Sequence, residues 1–298
     1  MTAPLAAPSP ALPDRYAVLG HPVAHSQSPF IHAEFARQTG EVMVYGRVEC
    51  PKDGFEAAVR AFIVGGDAQA GLGRAGGCNI TVPFKFEVLP LAARASDRAL
   101  LAQAANVLRF DDAGWYADNT DGSGLVRDLQ QHAGLRLAGC RALLVGAGGA
   151  AAGVLGPLIE AGCAAITVAN RTPAKALALV QRHAAWAAQH RVTLAASALD
   201  AAGSGFDLVI NSSASSLAGA AVPVPASVLR PGALAIDLMY GAAAQPFLDW
   251  AEAHGAVGRD GLGMLVEQAA GAFALWRGVM PNTPPVLAAL RARLAEAT

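Results

Sequence analysis

The chain of 298 residues carries 22 Lys plus Arg against 23 Asp plus Glu, a formal net charge of −1. Its basic residues are scattered singly, which argues against a phosphate-neutralising nucleic-acid binder and against a membrane-surface arm. Hydrophobic residues make up 53% and charged residues 15%, against a usual charged share of about 25%, so intrinsic disorder is excluded and the length points to two domains.

Mean hydropathy is +0.35, yet the longest charge-free stretch, near Ala142 to Ile159, is broken by five glycines and Pro157. It reads as a strand, a turn and a helix rather than a membrane span. Met1 to Pro13 lacks the basic and apolar regions of a secretory signal and reads as a disordered leader. Cys50, Cys78, Cys140 and Cys163 have no C-x-x-C spacing, so neither a zinc ribbon nor a disulfide scaffold is expected, and a reducing cytoplasm is the default location. His21 and His25 are four apart, but Pro22 between them favours a loop over a metal-binding helix face, and no metal is expected.

In chain order, Tyr16 to Leu19 is a short apolar run ended by Gly20, and Phe30 to Gln38 has helical spacing with Pro29 at its start. Val42 to Val48 is a second predicted strand, Gly54 to Val64 a second helix, and Gly77 to Val82 a third strand closed by Pro83. This alternation marks an α/β unit. A helix is expected over Gly122 to His132, then a buried strand at Arg141 to Val145, a glycine loop, an Ala-rich helix to Ala161 and a strand at Ala165 to Ala169, which make one βαβ unit. Further strands are placed at Leu208 to Asn211 and Leu234 to Leu238, giving a parallel sheet covered on both faces. Helices over Met264 to Arg277 and from Pro285 to the end close the chain.

The loop within Leu143 to Ala151 has the form G-x-G-x-x-A between a strand and a helix. Gly146 permits the tight turn, Gly148 lets the backbone approach a pyrophosphate, and Ala151 lets the helix pack closely on the sheet. The helix start adds amide hydrogens and a positive dipole end. Beyond the next strand, where an NAD site carries an acid, the chain reads Asn170-Arg171-Thr172-Pro173-Ala174-Lys175. Arg171, Thr172 and Lys175 suit a 2′-phosphate, so NADP is favoured over NAD.

Three further segments carry polar groups in apolar company. Ser26-Gln27-Ser28-Pro29 sets two hydroxyls just before a helix, placed either to donate to an anion or to cap that helix. Asn79 to Lys85 ends a strand with a polar pair and a lysine suited to proton transfer. Asp118-Asn119-Thr120-Asp121-Gly122 falls at the expected junction of the two domains, where substrates usually bind. Asp121 is placed to orient Lys85, and the pair suits a carbonyl and alcohol interconversion.

Together these segments resemble shikimate dehydrogenase from about Tyr16 to the C-terminus. The matching pieces are H-S-Q-S-P-F-I-H at His25 to His32, N-I-T-V-P-F-K at Asn79 to Lys85, D-N-T-D-G at Asp118 to Gly122, G-A-G-G-A at Gly146 to Ala150, N-R-T at Asn170 to Thr172 and D-G-L-G-M-L-V-E-Q-A at Asp260 to Ala269. The resemblance implies a two-domain α/β fold: an N-terminal substrate domain over 14–121, rejoined by the C-terminal helices at 264–298, and a Rossmann-type doubly wound NADP-binding domain over 122–263. It implies reversible NADPH-dependent reduction of 3-dehydroshikimate to shikimate, on the route to chorismate and the aromatic amino acids.

On that resemblance Ser26 and Ser28 hold the substrate carboxylate with help from Tyr240. Thr81, Asn106, Asp121 and Gln268 bind ring hydroxyls, and Lys85 with Asp121 is the catalytic pair. NADP(H) is assigned to Gly146, Ala147, Gly148, Gly149, Ala150, Asn170, Arg171, Thr172, Lys175, Met239 and Gly261. The partner is a small molecule, with no nucleic acid and no membrane, in a monomer or homodimer.

Val107 stands where the family commonly has Thr, and Asn211 to Ser215 is more serine-rich than usual. Asp260 to Met264 is expected to approach the nicotinamide, the alternative being a turn whose glycines serve only backbone conformation. Gly122 and Gly261 are expected hinges between the domains. A quinate/shikimate dehydrogenase using NAD is the rival reading, which Arg171, Thr172 and Lys175 oppose. A non-catalytic dinucleotide sensor has no need of Lys85, Asp121, Asn106 and Gln268 together.

Overall fold

A computed structural model of the chain describes residues 12–65, 71–213 and 222–296. Residues 1–11 of the expected leader, and Ala214 and Ser215 of the serine-rich loop, lie outside the described residues. The first half runs β1 (Asp14–Gly20), α1 (Ser28–Thr39), β2 (Met43–Glu49), α2 (Phe55–Val64), β3 (Ala75–Ile80), β4 (Arg94–Ala95), α3 (Asp97–Ala102), β5 (Val107–Asp111), β6 (Gly114–Asp118) and α4 (Asp121–Arg127). The second runs β7 (Arg141–Val145), α5 (Gly149–Glu160), β8 (Ala165–Ala169), α6 (Pro173–His190), β9 (Thr193–Ser197), β10 (Phe206–Asn211), β11 (Leu229–Asp237), α7 (Gln245–Ala253), β12 (Val257–Arg259), α8 (Leu262–Arg277) and α9 (Thr283–Ala295).

Two sheets organise these elements. The second has the order β12-β11-β10-β7-β8-β9, with all its pairings parallel. Alternate residues of β7 explain why its sequence is apolar throughout: Ala142 and Leu144 face the core under α5 and α6, while Leu143 and Val145 face the opposite core with Phe247. A parallel strand buried on both faces has no polar side to display. The strand order reverses between β7 and β10, so a crevice opens beyond their C-terminal ends.

The first sheet has the order β2-β1-β3-β5-β6-β4. β1 pairs parallel with β2 and β3, and the β5–β6 hairpin then joins antiparallel to β3. One face packs on α2 and Phe84. Opposite, α1 meets α8 and α9 through Ile31, Phe35, Val266, Phe273 and Leu290.

Several expectations are corrected. The helix read as Gly122 to His132 begins at Asp121 and changes at Asp128 into a π-helical turn to His132. The wider turn holds Asp128 against Arg259 and sets His132 on Glu267 at 2.8 Å. The strand expected over Gly77 to Val82 lies at Ala75–Ile80, because Thr81 turns to accept the Phe84 amide. The strand expected over Leu234 to Leu238 runs from Leu229 to Asp237, starting five residues earlier and crossing Pro231 and Gly232.

Candidate active site

The glycine loop leaves β7 at Gly146, whose φ of +112° is in the region that favours glycine. A Cβ there would also meet Ser212 Oγ at 2.7 Å, since Ser212 packs across from the end of β10 and donates its hydroxyl to Val145 O at 2.7 Å. At Gly148 a Cβ would meet nothing within 4 Å, so this residue faces open space. Gly146 to Ala150 line a cleft of about 680 Å³ together with Ser212, Ser213, Asn170, Arg171 and Lys175.

Arg171 and Lys175 are exposed and form no ion pair among the described residues, so the cleft presents two uncompensated cations and no acid at its far end. Steric room at Gly148 and this positive charge fit a dinucleotide with a 2′-phosphate. Thr172, Met239 and Gly261 do not line the cleft. Met239 and Gly261 follow β11 and β12, one and two strands beyond β10, where the Gly261 amide donates to Met239 O at 2.8 Å. Gly261 has φ −82°, so the alternative of conformational need does not hold for it. It is glycine because a Cβ would sit 2.4 Å from Leu238 O. Gly122 is likewise blocked, 2.4 Å from Gly153 O.

Lys85 lies on a short 3-10 turn, Phe84–Phe86, beyond the strand end, and lines the same cleft. Its side chain passes the glycine loop: a Cβ on Gly149 would touch the Lys85 Cβ at 3.3 Å. Nζ donates to Asp121 Oδ2 at 2.5 Å, with the two side chains 14% and 6% exposed. Asp121 begins α4, and its other oxygen accepts from Asn106 Nδ2 at 2.8 Å.

Asn106 is the centre of a buried network. Its Nδ2 also reaches Thr120 Oγ1 at 3.0 Å and Gln268 Oε1 at 3.1 Å, while its Oδ1 accepts the Thr120 amide at 2.8 Å. Residues from the β3–β5 connection, α4 and α8 thus meet at one point although Asn106 and Gln268 are 162 positions apart. Thr81 lies nearby at the end of β3, its amide donating to Leu19 O at 2.9 Å.

Ser26 and Ser28 form a third group. Gln27 occupies the N-cap position and Ser28 is the first helical residue, so neither serine caps the helix through the N-cap position. The Ser28 amide donates to Ser26 Oγ at 3.2 Å, and the hydroxyls lie 3.1 Å apart. Tyr240 lies beside the Gln27 backbone, and burial raises its pKa, so its hydroxyl stays protonated.

Sequence reasoning missed the residues behind these groups. Tyr45 donates to Asn79 Oδ1 at 2.7 Å, Asn79 Nδ2 donates to Asn106 O at 3.3 Å, and Arg47 donates to Ser26 O. Their signal is present: Tyr45, Arg47 and Glu49 fall at alternate positions of a strand and so share a face. Among the described residues no cluster of His, Cys, Asp and Glu fits a metal, and no helix is long and apolar enough to cross a membrane.

The chain matches three family models: the shikimate dehydrogenase substrate binding domain over residues 18–108, the shikimate / quinate 5-dehydrogenase model over 128–220, and the shikimate 5′-dehydrogenase C-terminal domain over 261–291. A relative from Methylibium petroleiphilum, named shikimate dehydrogenase (NADP(+)), is 66% identical over 279 residues, 94% of each chain. A crystal structure of a shikimate dehydrogenase in complex with NADP+ is 30% identical with a TM-score of 0.81, covering 95% of this chain and 96% of that one. The shikimate 5-dehydrogenase of Thermus thermophilus in complex with shikimate is 31% identical with a TM-score of 0.79, covering 95% and 99%.

Proposed function

This chain belongs to the shikimate dehydrogenase family, and from that premise we propose that its reaction, the reversible NADPH-dependent reduction of 3-dehydroshikimate to shikimate, runs where the Lys85–Asp121 pair meets the mouth of the glycine-loop cleft. The observation that carries this placement is one side chain belonging to two sites. Lys85 lines the cleft suited to the dinucleotide and also donates to Asp121, which joins the buried Asn106 network. Residues 14–121 with 264–298 are the proposed substrate-binding unit and 122–263 the NADP-binding unit. The packing of α8 and α9 on α1 supports that division.

NADPH, when bound, supplies the hydride for the substrate's carbonyl carbon. Gly146 to Ala150 hold the pyrophosphate, and Arg171 with Lys175 hold the 2′-phosphate. Lys85 gives a proton to the carbonyl oxygen as negative charge develops there, and takes it back in the oxidative direction. Asp121 aims that ammonium and accepts from a ring hydroxyl. The Asn106 amide has two hydrogens for three neighbouring oxygens, so one of Thr120, Asp121 and Gln268 retains an oxygen for the ligand. Thr81 adds a further hydroxyl. Ser26, Ser28 and Tyr240 donate to the carboxylate, where charge-assisted bonds are stronger than neutral ones.

A small-molecule substrate and a cytoplasmic location belong to the same reading. The test follows nicotinamide absorbance with purified protein, NADP+ or NAD+, and shikimate or quinate. Reduction of NADP+ with shikimate well above every other pairing supports the proposal. Equal rates with quinate or NAD+ move it to the dual-substrate relative, and no reduction in any pairing overturns it.

A further inference from the structure

We propose that Arg47 is a positioning residue that sets affinity for the substrate carboxylate by holding the Ser26–Ser28 turn from behind. The inference rests on the assignment of those serines to the carboxylate.

β2 is the edge strand of the first sheet, parallel to β1 with Gly20 opposite Glu49. The loop leaving β1 therefore runs back past the end of β2 before entering α1. Tyr45, Arg47 and Glu49 are two residues apart and point to the same side of the strand. Glu49 and Arg47 take different points of that loop. Glu49 accepts the Val23 amide at 2.9 Å and meets His21 Nδ1 at 2.7 Å. Arg47 places both Nε and Nη2 on the Ser26 carbonyl, at 3.0 and 2.5 Å. Tyr45 donates to Asn79 Oδ1 at 2.7 Å, on the sheet beneath the turn.

Two donors on one carbonyl fix its direction, and with it the peptide plane joining Ser26 to Gln27. That plane sets where the Gln27 backbone meets Tyr240 and where both serine hydroxyls point. Arg47 has a second property. It has no acidic partner among the described residues, its neighbour Glu49 being engaged by His21 and Val23. A guanidinium bonded to a neutral carbonyl keeps its charge uncancelled by an acid; Arg47 is exposed, so water screens part of that charge, and the remainder acts on the nearby Tyr45 and Tyr240 hydroxyls. The site thus has a cation directly behind its neutral donors, which favours an anion there over a neutral group.

The experiment measures kcat and KM for shikimate, shikimate methyl ester and NADP+ in the native enzyme, Arg47→Gln, Arg47→Lys and Ser28→Ala, with thermal unfolding of each. Arg47→Gln is expected to raise KM for shikimate about tenfold, the low end of what a charge-assisted hydrogen bond contributes. Its kcat and its KM for NADP+ stay within about twofold, and its loss of kcat/KM for the neutral ester is smaller than for shikimate, because the ester still uses the serine hydroxyls that Arg47 positions but not its charge. Arg47→Lys, which keeps the charge and one donor, recovers part of the affinity. An unchanged KM for shikimate in Arg47→Gln overturns the proposal, as does an equal loss toward the ester and NADP+ with a lowered melting temperature and no recovery by lysine. If Ser28→Ala also leaves KM for shikimate unmoved, the carboxylate assignment itself fails. A raised KM in Ser28→Ala beside a native Arg47→Gln overturns this inference alone.

Discussion

Replacing Gly124 by alanine sets helix propensity against the geometry of the site. Gly124 lies on α4, three residues after Asp121, and faces α8: an added Cβ would sit 2.6 Å from the Gln268 backbone nitrogen and 2.7 Å from its Cβ. Ordinary contact begins near 3.4 Å, so α8 must retreat by about 0.8 Å, and the obstacle is backbone that no rotamer change relieves. Gln268 Oε1 now lies 3.1 Å from Asn106 Nδ2. The same displacement along that line takes the pair to about 3.9 Å, outside hydrogen-bonding range. Alanine over glycine inside a helix gains about 1 kcal/mol, whereas overpacking costs about 1–3 kcal/mol. With backbone as the obstacle the upper part of that range applies, leaving a net loss of about 1–2 kcal/mol.

Thermal unfolding and steady-state kinetics read the two effects separately. The melting temperature should fall by a few degrees, and KM for shikimate should rise about tenfold as the Gln268 contact is lost. A raised melting temperature with an unchanged KM would refute the reasoning. It would show that propensity governs at this position and that the α4–α8 spacing does not set the site.

Lys85→Ala should lower kcat by about 10²–10⁴-fold with little change in KM, as expected for loss of a proton donor, and a kcat near native would remove Lys85 from that role. Arg171→Ala should raise KM for NADP+ about tenfold while leaving KM for NAD+ unchanged; a parallel rise for both cofactors would place Arg171 away from the 2′-phosphate. His32 supplies a pH test. Burial holds its imidazole pKa down to about 3 from 6.5, so the unfolded chain takes up the proton first as pH drops. Its contribution is intact above pH 6.5 and is lost as pH falls from there toward 3, by about 3 kcal/mol at pH 4. His32→Phe keeps a ring on Tyr45, which stacks at 4.2 Å, and should show a shallower fall in urea-unfolding stability between pH 7 and 4. An equal slope in both proteins would contradict the assignment.

The second sheet is the more legible half. β7 and β8 fall at Arg141–Val145 and Ala165–Ala169, as their apolar runs predict; β7, buried on both faces and closed by a glycine turn, is distinctive in one dimension. β9 and β12 carry no such signal: Thr193–Ser197 and Val257–Arg259 are edge strands with mixed burial, and neighbouring strands rather than their own pattern make them extended. The β5–β6 hairpin is absent from the predicted elements, although Asp111 to Gly114 carries turn residues and Gly114 has φ +98°.

The chemistry on offer is already written in the order of the residues. The glycine loop, the cationic Asn170–Lys175 segment without an acid, the two serines before a helix and the Lys85 and Asp121 motifs are local patterns, and local patterns fix backbone conformation and residue type. Which of these groups meet is a matter of packing. Asn106 joining Asp121 and Gln268, Gly124 and Gly261 reduced to a hydrogen by backbone on other elements, and Arg47 gripping the turn that carries Ser26 all depend on close approach between segments far apart in the chain. Such contacts leave no periodicity, because their distances are set by how sheets and helices pack rather than by spacing along the chain.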